Sequence, residues 1–130
     1  MLTGPSPASR FNPSDFLSFA QSLSTAKASE AQLRTCVGRA YYAAFLTARG
    51  RPKVEAEVRA LPRRIRKRSG FHGRVIVAVR KIDSGMGNQL DDLRKLRVVA
   101  DYELEAKRWP SRWKKASFLA AKLVPKLSTL

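Results

Sequence analysis

The chain of 130 residues is poor in the groups that most often carry protein chemistry: it has one cysteine, one histidine and only ten acidic residues. A single cysteine cannot close an intramolecular disulfide, and Cys36, set in TCVGRAYYAAF, reads as a small buried side chain in a reducing compartment. One Cys and one His cannot build a zinc site. Asp91 and Asp92 are neighbours in sequence and therefore face different sides of a helix, which argues against a two-metal nuclease. No glycine-rich phosphate loop of the Walker kind is present, so neither a metal nor another cofactor is expected. No apolar run approaches the roughly 18 residues that span a bilayer, and MLTGPSPASR has no basic region followed by a hydrophobic one. These absences lead us to expect a cytoplasmic protein with no membrane association.

Against ten acids stand 26 lysines and arginines, a formal charge of +16. Solubility does not require so much charge of one sign, and a polyanion, nucleic acid first, is the expected partner. The length suits one domain with its own core.

Residues 1–11, with Gly4, Pro5 and Pro7, show no periodicity and read as a disordered leader to a single domain over 12–130. A first helix follows, with Asn12 as cap, Pro13 in its first turn and Phe16, Phe19, Ala20 and Leu23 as its apolar stripe. SEAQ, 29 to 32, matches a capping box and opens a second helix that runs to Arg49, with Gly50 as its C-terminal cap. Its face of Leu33, Val37, Ala40, Tyr41, Ala44, Phe45 and Ala48 makes it the expected central helix. Residues 50–71 form a basic connector, interrupted by Pro52 and Pro62, with room for one short helix near 54–61.

Val75, Val79 and Ile82 predict a helix over 72–83, ended by Gly85 and Gly87. Leu90, Leu93, Leu96, Ala100 and Leu104 predict the next, over 88–104. Pro110 marks the start of the last, with Trp113, Ala116, Ala120, Leu123 and Leu127 as its seam. No segment alternates as a strand. The expected fold is all-α, an up-and-down bundle of four to five helices.

RTCVGRAYYAAFLTAR (34–49), FHGRVIVAV (71–79) and LRKLRVVADY (93–102) together resemble, in that order, the HEPN family, the higher eukaryote and prokaryote nucleotide-binding helical bundles. The resemblance spans roughly residues 12–127. It implies a HEPN-like bundle that is often a homodimer and often a metal-independent ribonuclease of a toxin-antitoxin or phage-defence system. Other members only bind RNA or nucleotide, or serve as non-cleaving partners. A cognate antitoxin or a nucleotidyltransferase is the implied protein partner. The family's motif, Arg followed by a polar residue and later by His, maps onto Arg97, with Val98 replacing the polar residue and Tyr102 standing where the His would be.

Metal-free RNA cleavage needs a base for the ribose 2′-OH, a cation for the crowded phosphate and an acid for the leaving oxygen. The planar, permanently charged fork of arginine suits the second task. Tyrosine, with a reference pKa of about 10, is a poor base at neutral pH but can orient a phosphate or donate a proton. Five helical residues turn about 140° beyond a full revolution, so Arg97 and Tyr102 do not share a narrow face, whereas Arg97 and Asp101 do, with Arg94 on that side too. Arg97, Tyr102, Asp101 and His72 are accordingly the catalytic candidates.

For nucleic-acid contact the candidates fall into three groups. Arg39 and Tyr42 sit on the second helix, with one tyrosine of the Tyr41–Tyr42 pair expected inside and the other lining the site. RALPRRIRKR (59–68) has six basic residues and no acidic one, and Arg59, Arg63, Arg64, Arg66, Lys67 and Arg68 are read as a grip on RNA backbone. In KRWPSRWKK (107–115), Arg108, Trp109 and Arg112 combine charge with a ring that could stack on a base. Arg74 and Arg94 complete the set. A non-catalytic nucleic-acid-binding or partner-binding module is the alternative to an enzyme.

Overall fold

The computed structural model describes residues 10–130, and among them every regular element is a helix. Seven helices follow one another: α1 (Ser14–Leu23), α2 (Glu30–Arg49), α3 (Pro52–Arg59), α4 (Arg63–Arg68), α5 (Phe71–Ile82), α6 (Ser84–Tyr102) and α7 (Trp109–Leu127). Five of these are the expected long elements. The other two lie in the basic connector, where one short helix was expected. Pro52 in the first turn of α3 and Pro62 at the entry to α4 set φ for helix starts rather than breaking a loop. Most of the leader, residues 1–9, lies outside the described residues, but Phe11 already packs its ring on Phe16, 4.7 Å between centroids.

At the N-terminus of α2, the Ser29 hydroxyl accepts from the Gln32 amide and the Gln32 side chain accepts from the Ser29 amide, the reciprocal arrangement that its sequence announces. Gly50 ends the helix in an ordinary right-handed conformation. Every residue of the expected α2 stripe is buried, together with Cys36, Gly38 and Ala43. So many small side chains let α1, α6 and α7 approach α2 closely, which makes it the axis of the bundle. The Cys36 thiol is fully buried, its pKa is raised by that burial, and it donates to the Ala20 carbonyl at 3.3 Å. It is a packing group.

Gly85 and Gly87 do not terminate α5, contrary to the sequence expectation. Asp83 is at once the last cap of α5 and the first of α6, its Oδ1 accepting from the Met86 amide at 2.9 Å, so both glycines fall in the first turn of α6. Gly87 is there for space: a Cβ on it would come within 2.7 Å of the Arg80 Cα on α5. Two other apolar assignments fail for geometric reasons. Phe19 points outward from α1, where Leu17 is buried instead, and Leu104 lies beyond the end of α6 and is exposed.

α6 and α7 are joined by a turn that ends at Arg108, which has φ 63°, the left-handed region. Arg34 of α2 reaches across to this turn. Its guanidinium donates to the carbonyls of Ala100 at 2.9 Å, Glu103 at 3.0 Å and Leu104 at 3.3 Å, and lies 4.4 Å from the Trp109 ring centre. The Ala100 carbonyl belongs to the last turn of α6 and has no partner within that helix.

Candidate nucleic-acid interface

The three segments that carry the family resemblance fall on α2, α5 and α6, and these helices meet. Their contact places an aromatic and cationic cluster at one side of the bundle. Tyr41 is fully buried, and its hydroxyl lies 2.6 Å from His72 Nδ1 at the start of α5. The imidazole stacks on Phe45, 4.2 Å between centroids with an 18° tilt, and meets the edge of Tyr42 at 5.9 Å. Arg39 and Arg97 place their guanidinium carbons 5.1 Å and 5.5 Å from the Tyr42 ring centre. Tyr42 thus meets a cation of α2 and a cation of α6 over its ring.

Protonation follows from this packing. Burial raises the Tyr41 pKa strongly, so the phenol keeps its proton. Its one hydrogen-bond partner among the described residues is His72 Nδ1. A buried hydroxyl donates where it can, so Tyr41 donates to Nδ1 and the imidazole carries its own hydrogen on Nε2. Nε2 makes no hydrogen bond among the described residues and is not among their sealed polar atoms, so it is open to a ligand. Burial, and then the nearby charges of Arg97 and Arg94, lower the His72 pKa. At neutral pH His72 is a fixed, uncharged N–H donor.

The pH dependence of stability follows with a definite sign. The unfolded chain takes up the His72 proton near the ordinary value of 6.5, and the folded protein only at lower pH. The stabilisation is complete above that value and is lost as pH falls below it. Urea unfolding between pH 7.5 and 5.5 is expected to show a steeper loss for the wild type than for His72→Phe. Parallel curves would refute the assignment.

Arg97 is mostly buried, and its Nε lies 2.8 Å from Asp101 Oδ2, out of line for a hydrogen bond, so the contact is ionic. Arg94, one turn earlier, faces Asp91 at 3.6 Å, and Asp91 also holds Arg80 and Lys95. Arg97, Asp101, His72, Tyr42, Arg39 and Arg94 are therefore brought into one neighbourhood. Tyr102 is not: it is the last residue of α6, exposed, with no ring or cation contact to Arg97 or His72.

The remaining candidates divide. Arg63, Arg64, Arg66, Lys67 and Arg68 are exposed on α4 and have no carboxylate partner among the described residues. Arg59 is exposed but pairs with Glu55 at 2.7 Å. Arg74 is half-buried and donates to the Ser69 carbonyl at 3.1 Å, fixing the α4–α5 turn. Trp109 is not an exposed stacking platform: it is 3% exposed, its Nε1–H donates to the Ala106 carbonyl, and Arg34 and Arg112 cover its faces. Arg112 is likewise engaged, donating to the Lys107 carbonyl at 2.7 Å. Arg108 is exposed, and its left-handed backbone shapes the turn.

Tyr41 and Phe45, the groups that orient His72, were legible in the sequence only as core residues. Tyr41 and His72 are 31 residues apart, and no spacing rule pairs them. Among the described residues no group of three or more His, Cys, Asp or Glu side chains could hold a metal ion, and no helix is long and apolar enough to cross a membrane. In comparisons with known proteins, the chain matches no family model, no curated protein and no solved structure.

Proposed function

We propose that the protein is an RNA-binding helical bundle of the HEPN type, whose α2–α5–α6 face contacts a ribose-phosphate strand. The observation that carries this reading is the clamped His72, which offers an Nε2–H beside Arg97, Arg94 and a cation-flanked Tyr42. Phosphate oxygens accept from such donors, and the half-buried Tyr42 ring adds aromatic surface beside them. The convergence of the three family-like segments on the same helices supports the same reading. So does the net charge of +16.

Metal-independent cleavage is the second reading, favoured by the nearness of the imidazole and the Arg97 guanidinium. In it Arg97 stabilises the phosphorane charge and His72 exchanges the proton. His72 can act as a base only if its tautomer inverts, with Tyr41 turning from donor to acceptor, and this ranks cleavage behind binding. Tyr102, at the exposed helix end, has no positioned role in the cluster.

One experiment addresses both readings. Wild type and Arg97→Ala are incubated with RNA in EDTA, and binding and fragment ends are followed. Binding is expected in the wild type, reduced about tenfold or more in the variant. Fragments with 2′,3′-cyclic phosphate from the wild type alone would establish the cleaving reading. Absence of any RNA binding would remove the proposal.

A further inference from the structure

α4 is built differently from every other helix of the bundle. Its six residues, RRIRKR, include no buried side chain, five of the six are exposed cations, and only Ile65 is half-buried. At 100° per residue the five cations spread over an arc of about 200°, and Ile65 falls in the gap that remains. Arg66 occupies one flank of the arc, Arg64 and Arg68 the other, and Arg63 and Lys67 its centre. A single strand presents one line of phosphates, and a cationic stripe along one side of a helix suffices to follow it. A 200° arc is matched by two lines of phosphates, one on each side of the helix. Duplex RNA has that form, because its major groove is narrow and is bordered by the phosphates of both strands.

The position of α4 supplies the second half of the argument. Only Ser69, Gly70 and Phe71 separate Arg68 from His72, a reach of at most about 14 Å. Arg74 fixes this junction through the Ser69 carbonyl. The two-sided basic helix therefore ends beside the face that carries Tyr42 and His72, where guanidinium groups over a half-buried ring and a single N–H donor suit an unpaired nucleotide.

Building on the RNA-binding reading above, we propose that the preferred ligand is a junction between duplex and single-stranded RNA. The stem lies against α4 with its two strands on either flank, and the unpaired strand continues onto the α2–α5–α6 face.

The test compares four probes with equal numbers of phosphates: a hairpin RNA with a single-stranded tail, an unstructured single strand of the same total length that contains the tail sequence, a blunt RNA duplex, and a tailed DNA hairpin. Wild type is expected to bind the tailed RNA hairpin at least tenfold more tightly than any other probe. In Arg64→Gln/Arg66→Gln/Arg68→Gln, which removes both flanks and keeps the centre, hairpin affinity is expected to fall about 30-fold or more. Its log–log salt slope should drop by about three, while single-strand affinity falls less than threefold. Tyr42→Ala should lower single-strand affinity and leave blunt-duplex affinity within twofold. All three substituted arginines are exposed, and unchanged helical content by circular dichroism is the expected check that the variant is folded. Equal losses on hairpin and single strand, or equal binding of the DNA hairpin, would overturn the junction proposal and leave RNA binding standing. No binding to any RNA probe would overturn both.

Discussion

Arg34→Ala is expected to lower the unfolding free energy by about 3 kcal/mol, a large share of what a domain of this size has. The side chain is mostly buried and does four things at once. It pairs with Glu30 at 3.0 Å, donates to carbonyls at the C-terminal end of α6, completes the α6–α7 turn and sits over the Trp109 ring. Truncation leaves the Ala100 carbonyl without its donor and a cavity beside the indole, and each of these costs about 1–3 kcal/mol by itself. The guanidinium also sits where the negative end of the α6 dipole lies. Arg34→Lys keeps the charge but cannot fork between carbonyls or stack, and about half of the loss is expected to persist. Urea denaturation of the three proteins measures both values, and a loss below about 1 kcal/mol for alanine would remove Arg34 from the role of clamp. Amide exchange should accelerate at the end of α6, which carries Arg97 and Asp101.

RNA binding is expected to weaken by on the order of 10³ to 10⁴ when salt is raised from about 50 to about 200 mM. The reason lies in which cations are free. Arg34, Arg59, Arg80, Arg94, Lys95 and Arg97 each have a carboxylate within 4.0 Å. The five cations of α4 have none among the described residues, and they, with a few donors of the α2–α5–α6 face, make roughly eight phosphate contacts. Each contact releases about 0.7 of a counterion on single strand and about 0.9 on duplex, and a fourfold rise in salt then lowers affinity by roughly three to four decades. Fluorescence anisotropy with a labelled tailed hairpin across that range gives the slope directly. A change of less than tenfold would mean that the charge excess is spread over the surface and not used at one interface.

The two predictions rest on opposite uses of arginine. Arg34 is desolvated and its hydrogen-bonding fork is filled by backbone, so its energy goes into the fold. The α4 arginines are solvated and unpaired, so theirs is available to a ligand. Composition counts both kinds alike. Arg97 stands between them, mostly buried and held by an out-of-line carboxylate, so a phosphate oxygen can compete with Asp101 for its remaining donors.

Several features were legible because they are local. The Ser29 capping box, the α2 stripe from Leu33 to Ala48, the pairing of Arg97 with Asp101 and the burial of Cys36 depend on residues within one or two helical turns of one another, or on hydrophobicity summed over one face. The basic character of 59–68 was equally plain, but its conformation was not. The six residues between Pro62 and Ser69, five of them cations, bury nothing, so no periodicity marks the helix that aligns them. Gly87 misled for a related reason. A glycine that ends a helix and a glycine that lets two helices touch look the same in sequence, and only the passage of Arg80 beside it distinguishes them.

By itself, then, the sequence determined an all-helical chain, its central helix, its cationic excess and the residues able to contact phosphate, since each follows from composition or from contacts within a turn or two. Tertiary structure decided which of those residues are available. It sealed Trp109 under two arginines, left Tyr102 at an open helix end, and set Tyr41 against His72 across 31 residues, fixing which nitrogen carries the hydrogen. The physical reason is that burial and hydrogen bonding between distant segments are properties of packed helices, and no spacing within one helix encodes them.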